Sequence, residues 1–276
     1  MKVVVLGATG MLGNAVGQHM QNIYGRDEVL LTCRSDDGVQ EPMYPGKWMS
    51  FRLPHEKYTM HKIPREAEYV INCLGIIKPF IESTGAANTL LINSVFPHVL
   101  AEYCNQNGIK LINITTDCVY SGQKGLYTEE DAHDCQDLYG MSKVMGESTE
   151  CMTLRTSIIG NELHKDASLI AWAKSQAGQK VRGFTNHRWN GVTTNEYARI
   201  CEKIMEGNLW KKGIFHVFSD IVTKYELLSL LSEHFGLELD IEPCAPGADC
   251  NRTLATVLPL NDRLMIPSIR DQIKEL

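Results

Sequence analysis

Lys2-Val-Val-Val-Leu6 runs straight into Gly7-Ala-Thr-Gly10-Met-Leu-Gly13, and Asn14-Ala-Val-Gly-Gln-His-Met20 follows without a break. The first segment is short, apolar and β-branched, which suits a buried strand, and the last can continue as a helix. The three glycines between them predict a tight strand-to-helix turn where backbone can approach a ligand. A diphosphate suits such a turn, because free N–H groups and the positive end of the helix stabilise its charge. Glycine at 7, 10 and 13 is a different spacing from G-x-G-x-x-G but keeps the strand–turn–helix context that gives the motif meaning. Gly7, Thr9, Gly10, Met11, Leu12 and Gly13 are therefore expected to cradle a dinucleotide.

The second strand, Glu28-Val-Leu-Leu-Thr-Cys33, ends at Arg34-Ser35. A cofactor without a 2′-phosphate is usually met there by an acidic residue on its ribose. A guanidinium can instead grip a phosphate through its planar fork, so Arg34 and Ser35 favour NADP(H), with NAD(H) as the alternative. Asp36 and Asp37 stand close behind.

Strands and helices then alternate. Glu68 to Gly75 reads as a buried strand ending in Asn72-Cys73-Leu74-Gly75, and Gly85 to Gln106 reads as a long helix bent near Pro97. Ile109–Ile114 is the next strand, a helix carries Tyr139, and Met152–Arg155 is another strand. This alternation predicts an α/β fold, a Rossmann-type doubly wound parallel sheet over residues 1–160. Beyond Gly160 the pattern loosens into a smaller C-terminal α/β substrate lobe, 161–276, with a helix near Ser168–Gln176, a loop Gly183–Gly191, a helix from Thr194, a strand Ile214–Phe218 and a helix Lys224–Phe235.

Composition narrows the partners. The 276 residues carry a formal charge of −6, which argues against non-specific nucleic-acid binding, since that requires a basic surface. The nine cysteines form no C-x-x-C pair or zinc-like grouping, so no metal is expected and they read as reduced thiols of a cytoplasmic protein. No run approaches the roughly 18 apolar residues of a membrane span.

Chemistry is carried by Tyr139 and Lys143, four residues apart in Asp137-Leu-Tyr-Gly-Met-Ser-Lys143 and so on one face of a helix. A phenol with pKa near about 10 is a poor acid at neutral pH, but a fixed cation beside it favours the phenolate and makes its proton usable. That pair suits reversible protonation of a carbonyl oxygen. Thr115-Thr116 ends the strand from Ile109, so a hydroxyl emerges at the carboxyl edge of the sheet, where open α/β folds bind ligands. Asn72 ends the preceding strand on that edge, and Asn93 lies in the helix after it.

Taken together, Gly7-x-x-Gly10-x-x-Gly13, Thr115-Thr-Asp-Cys-Val-Tyr-Ser-Gly122, Tyr139-Gly-x-Ser-Lys143 with Gly146-Glu147, and Leu154-Arg-Thr-Ser157 resemble the extended short-chain dehydrogenase/reductase family, in its dTDP-4-dehydrorhamnose reductase-like branch. The resemblance covers essentially the whole chain. It implies a triad of Thr116, Tyr139 and Lys143 that reduces the C4 ketone of a nucleotide-linked 4-keto-6-deoxy sugar with NADPH. Thr116 would polarise the carbonyl, Tyr139 would protonate the alkoxide, Lys143 would also hold the nicotinamide ribose, and Asn93 would support a proton relay. It further implies a homodimer.

Other positions carry alternatives. Thr156 and Ser157 match a segment beside the nicotinamide in relatives, yet hydroxyls at a strand end are often caps. Asp117, Asn186, Trp189 and Asn190 are candidates for substrate contact, although Trp189 equally suits the anchor of a packed loop. Dehydratases of the superfamily carry Asp-Glu after the threonine, whereas here Asp117 precedes Cys118. Bifunctional epimerase/reductases place a cysteine at that point as a base, with a histidine such as His164 or His187 as partner; a small buried filler is the other reading of Cys118. Some relatives of this branch are non-catalytic NADP-binding regulatory subunits, against which the intact triad counts.

Overall fold

The computed structural model describes residues 1–34, 45–53, 59–162 and 168–276. Its main sheet contains β1 (Val3–Leu6), β2 (Val29–Cys33), β3 (Lys47–Ser50), β4 (Tyr69–Asn72), β5 (Lys110–Thr116), β6 (Met152–Thr156) and β7 (Gly213–His216). The seven strands run in the order β7-β6-β5-β4-β1-β2-β3, and the sheet is parallel, as the alternation of strands and helices predicts. β1 and β4 are buried along their whole length, the continuous apolar pattern of a sheet covered on both faces. Register brings Leu6 opposite Asn72 and Asn72 opposite Asn113, so β1 and β4 end level with one another while β5 runs on past them to Thr116.

Two compact units divide the chain. The first comprises Met1–Thr115, Asp137–Leu154 and Ala198–Ile214, and the second Thr116–Gln136, Arg155–Tyr197 and Phe215–Leu276. In the first, Val4, Leu6, Val70, Phe96, Leu100 and Leu111 share one apolar core. Helix α1 (Met11–Tyr24) follows the glycine turn, and α3 (Leu138–Val144) starts at Asp137, whose carboxylate accepts from Gly140 N.

The helix expected from Gly85 to Gln106 exists, here α2, but is not uniform. Residues 86–90 are α-helical, Leu91–Val95 makes one π-helical stretch, and Phe96–Gln106 returns to α. Pro97 explains the change: it has no N–H to close onto the carbonyl of Asn93, four residues earlier, so the ladder widens there instead of bending sharply. The Asn93 carbonyl faces Gly146 instead, where an added Cβ would lie only 1.9 Å from it.

The second unit is built from short strands. Lys180–Phe184 pairs in parallel with Asp240–Cys244, while His187–Trp189 pairs with Val222–Thr223 and Cys250–Asn251. The segment read as a loop at 183–191 thus contains strand at both ends. Another helix of this unit, Lys224–Phe235, begins with a reciprocal Thr223–Glu226 cap and ends at Gly236 in the left-handed region, φ 61°. Its Leu227 and Leu231 pack with Trp189, Ile269 and Ile273 in one apolar core. Among the described residues no helix is long and apolar enough to cross a membrane.

Candidate active site

The glycine turn is fixed by a residue its motif does not contain. Thr32 Oγ1 accepts from Gly7 N at 2.9 Å and donates to Val5 O at 3.2 Å, and Thr32 O accepts from Ala8 N at 3.0 Å. Gly7 sits at φ +80°, and a Cβ at Gly13 would stand 2.1 Å from Gly7 O, so both are required by the backbone itself. Gly10 differs: it is exposed, and among the described residues only Gly7 O, at 3.4 Å, would meet its Cβ. No side chain caps α1 at Gly10, leaving first-turn N–H groups turned outward at the positive helix end. A dinucleotide's diphosphate fits this cradle. Arg34 is exposed directly after β2, whereas Ser35 and His164 lie outside the described residues.

Beyond β4, Asn72 Nδ2 donates to Asn113 Oδ1 at 2.8 Å while its Oδ1 accepts from Leu74 N at 3.1 Å, shaping the turn through Cys73 and Leu74. The Asn93 carboxamide clamps Ile76, accepting from its N at 2.8 Å and donating to its O at 2.9 Å. Asn93 Nδ2 also donates to Ser142 Oγ at 3.0 Å, and Ser142 Oγ donates to Tyr139 O at 2.8 Å. Asn93 is thereby tied to the tyrosine helix. A β-carbon at Gly75 would stand 3.5 Å from Lys143 Nζ and 3.6 Å from Asn93 Oδ1, so these two side chains bound the crevice past β4.

Lys143 is 9% exposed and donates to Ile114 O at 3.2 Å. Burial pulls its pKa down to about 8, with Glu147 opposing. Tyr139, one helical turn earlier and half-buried, has Lys78 Nζ 5.8 Å from its ring centroid; Lys78 is held there by Asp137 Oδ2 at 2.8 Å. Lys78, Thr32, Asn113 and Ser142 were not singled out from sequence. Ser142 was discoverable as part of the Tyr-Gly-x-Ser-Lys pattern, but Thr32 and Asn113 act only through strand neighbours.

In the second unit, Thr116 Oγ1 lies 3.2 Å from Asp117 Oδ1 and accepts from Cys118 N at 3.2 Å. Burial pushes Asp117 up from the usual carboxylate range; Lys224, Arg252 and hydrogen bonds from Thr116 and Cys118 oppose it. Burial likewise pulls Lys224 down, while Asp117, Cys118 and Cys250 pull it up, so one small cluster gathers these groups. Lys224, the first residue of its helix, sits 5.2 Å from the centroid of the Trp189 ring.

Arg155 joins two sequence motifs. Only 1% exposed, it donates to Tyr120 OH at 2.6 Å, to His216 Nε2 at 2.7 Å and to His133 Nε2 at 2.9 Å. His216 Nδ1 donates to Ala255 O at 2.7 Å, which fixes its tautomer and leaves Nε2 to accept. Thr156 is buried and donates to Ser157 O at 3.2 Å, and Ser157 is half-buried.

The remaining candidates separate. Asn190 is 4% exposed with both side-chain ends committed to Leu254, donating to its O at 2.8 Å and accepting from its N at 2.9 Å. Trp189 is buried in the apolar core. Asn186 approaches Pro246 O and Ala248 O at 3.5 Å, and its Oδ1 meets no partner among the described residues. His187 pairs in register with Cys250.

Fold and turn define an α/β protein of Rossmann type. The model of the family described as the RmlD substrate binding domain matches residues 1–252, and the chain belongs to that family. It is 28% identical to methionine adenosyltransferase 2 subunit beta of Danio rerio, over 99% of this chain and 90% of that one. Among solved structures it is similar to a hypothetical dTDP-4-dehydrorhamnose reductase from Sulfolobus tokodaii, with a TM-score of 0.76, 19% identity and 99% of each chain covered. It is also similar to dTDP-4-dehydrorhamnose reductase from Bacillus anthracis in complex with NADP, with a TM-score of 0.74, 17% identity, and 100% and 98% covered.

Proposed function

We propose that this protein is an NADPH-dependent reductase of the C4 ketone of a nucleotide-activated 4-keto-6-deoxy sugar, acting in polysaccharide or deoxysugar synthesis in the cytoplasm. Residues 1–160 would bind NADP(H) and 161–276 the sugar nucleotide. The observation that carries the reading is Lys143: a buried ammonium at the crevice past β4, one helical turn from Tyr139. A buried lysine is costly without a ligand or partner to exploit it, and functional sites concentrate such groups.

The glycine turn from Gly7 to Gly13, with Thr9, Met11 and Leu12, would hold the diphosphate, Arg34 and Ser35 the 2′-phosphate, and Asn72–Gly75, Thr156 and Ser157 the nicotinamide end. When bound, NADPH supplies a hydride to the carbonyl carbon, and the π electrons of the C=O bond pass to oxygen. Tyr139 gives its proton to that oxygen, completing the alcohol. Lys143 stabilises the phenolate left behind, and Asn93 and solvent return the proton. Thr116 donates a hydrogen bond where the negative charge grows. Asn186 is the sugar-nucleotide contact we favour, with Asp117 reaching the substrate through Thr116 and with Trp189 and Asn190 shaping the loop behind. Loss of NADPH absorbance on adding a 4-keto sugar nucleotide, abolished in Tyr139→Phe, tests this reading.

Two further readings have specific support. The Danio rerio relative is named as a subunit of another enzyme, which favours a non-catalytic NADP-binding subunit; NADPH bound tightly but never consumed would select it. Lys224 near Cys118 would favour a thiolate, as an epimerase/reductase needs. Deuterium from solvent at carbons beside the ketone, lost in Cys118→Ser, would select that one. For a homodimer, Val95 and Val99 on α2, Met141 on α3 and Met145 just past it offer apolar side chains 50%, 43%, 50% and 57% exposed. Sedimentation of wild type against Val99→Asp tests this.

A further inference from the structure

The Thr116 hydroxyl has one hydrogen and two lone pairs, and its surroundings decide where that hydrogen goes. One lone pair accepts from Cys118 N at 3.2 Å, and the other hydrogen-bond partner among the described residues is Asp117 Oδ1, also at 3.2 Å. If Asp117 is a carboxylate it can only accept, so it takes the Thr116 hydrogen and leaves none for a substrate. If Asp117 is a carboxylic acid the bond reverses: Asp117 donates, Thr116 accepts twice, and its own hydrogen is free to point at a ketone oxygen.

We propose that Asp117 works as a neutral carboxylic acid and is the positioning residue that aims the Thr116 hydroxyl at the substrate carbonyl. This deepens the reductase reading and rests on it. Both residues are 8% exposed, and burial favours the uncharged acid over the anion. The charged and titratable groups facing Asp117 are Lys224 at the start of its helix, Arg252 after Cys250–Asn251, and the Cys118 thiol beside it; Cys250 faces Lys224 in turn. Arg252 Nε is engaged elsewhere, donating to Tyr120 O at 2.8 Å. Lys224 is itself half-buried and lies against the Trp189 ring, which lessens its demand for an anion. A chain running from Asp117 through Thr116 to the ketone gains strength along its length, because each donor is polarised by the one before it.

Asp117→Asn keeps the size of the acid and supplies an N–H that can face Thr116, whereas Asp117→Ala presents nothing. The expected result is a kcat for Asp117→Asn within about tenfold of wild type, against a fall of about a hundredfold in Asp117→Ala with little change in KM. Asp117→Asn as impaired as Asp117→Ala, with both still binding NADPH, would overturn the proposal. Independently of turnover, the infrared difference between wild type and Asp117→Asn at neutral pH should contain a carboxylic-acid C=O band that shifts in deuterated water. A carboxylate band in its place would also overturn it. If wild type reduces no keto sugar, the reductase reading fails while the infrared measurement still decides the state of Asp117.

Discussion

Asn93 holds Ile76 by both backbone groups, accepting from its N–H at 2.8 Å and donating to its carbonyl at 2.9 Å across 17 residues of sequence. The clamp sets the far wall of the crevice past β4, and the π-helical stretch ahead of Pro97 presents it.

Asn93→Ala leaves two backbone groups of Ile76 and the Ser142 hydroxyl without this partner. Each orphaned buried group costs about 1–3 kcal/mol, so urea unfolding should give a loss of roughly 2–4 kcal/mol, together with weaker NADPH binding.

Glycines 10 and 13 should respond differently to alanine. In Gly13→Ala the new methyl meets Gly7 O at 2.1 Å, so stability should fall by about 3 kcal/mol. Gly10 has φ −86° and open space, so Gly10→Ala should unfold within about 0.5 kcal/mol of wild type. Its Kd for NADPH should nonetheless rise at least about tenfold, because the methyl stands where the diphosphate approaches. Calorimetry with and without cofactor separates the two effects.

Lys143 makes stability depend on pH in a definite direction. Its folded pKa of about 8 lies below the 10.5 of an exposed lysine, so between these values the unfolded chain binds more protons than the folded one. Stability without cofactor should therefore rise with pH across that window, by about 3 kcal/mol from this group. Lys143→Met removes that slope and abolishes turnover. A wild-type curve no steeper than that of the variant would contradict the assignment.

Arg34→Ala should lower affinity for NADPH by about tenfold or more and leave NADH nearly unchanged, since only the former carries the phosphate a guanidinium would hold. Paired KM measurements with both cofactors check it.

Most of the first unit was legible because local pattern and final structure agree there. Val3–Leu6 is apolar throughout and emerges as a buried strand, Gly7 and Gly13 are required by the backbone of the turn, and Tyr139 and Lys143 share a helix face as their spacing implies. The anchors were not legible, because Thr32 reaches Gly7 across 25 residues and Asn113 reaches Asn72 across 41, pairings that only sheet register creates. The π-helical stretch escaped for a related reason: Pro97 announces a lost hydrogen bond, not how the chain accommodates it. In the second unit, His187–Trp189 gains its strand from distant partners, and the Lys224 cluster joins residues scattered from 117 to 252.

The central claim is that Tyr139 gives a proton to a sugar ketone while NADPH is oxidised. Its most direct measurement follows NADPH absorbance with a dTDP-linked 4-keto-6-deoxy sugar in wild type and in Tyr139→Phe, with cofactor affinity determined for both. Stoichiometric NADPH loss and a C4 alcohol in wild type, with neither in a variant that still binds NADPH, is the predicted result. Equal turnover in the two proteins, or tight NADPH binding by wild type with no turnover on any 4-keto sugar nucleotide, would contradict it.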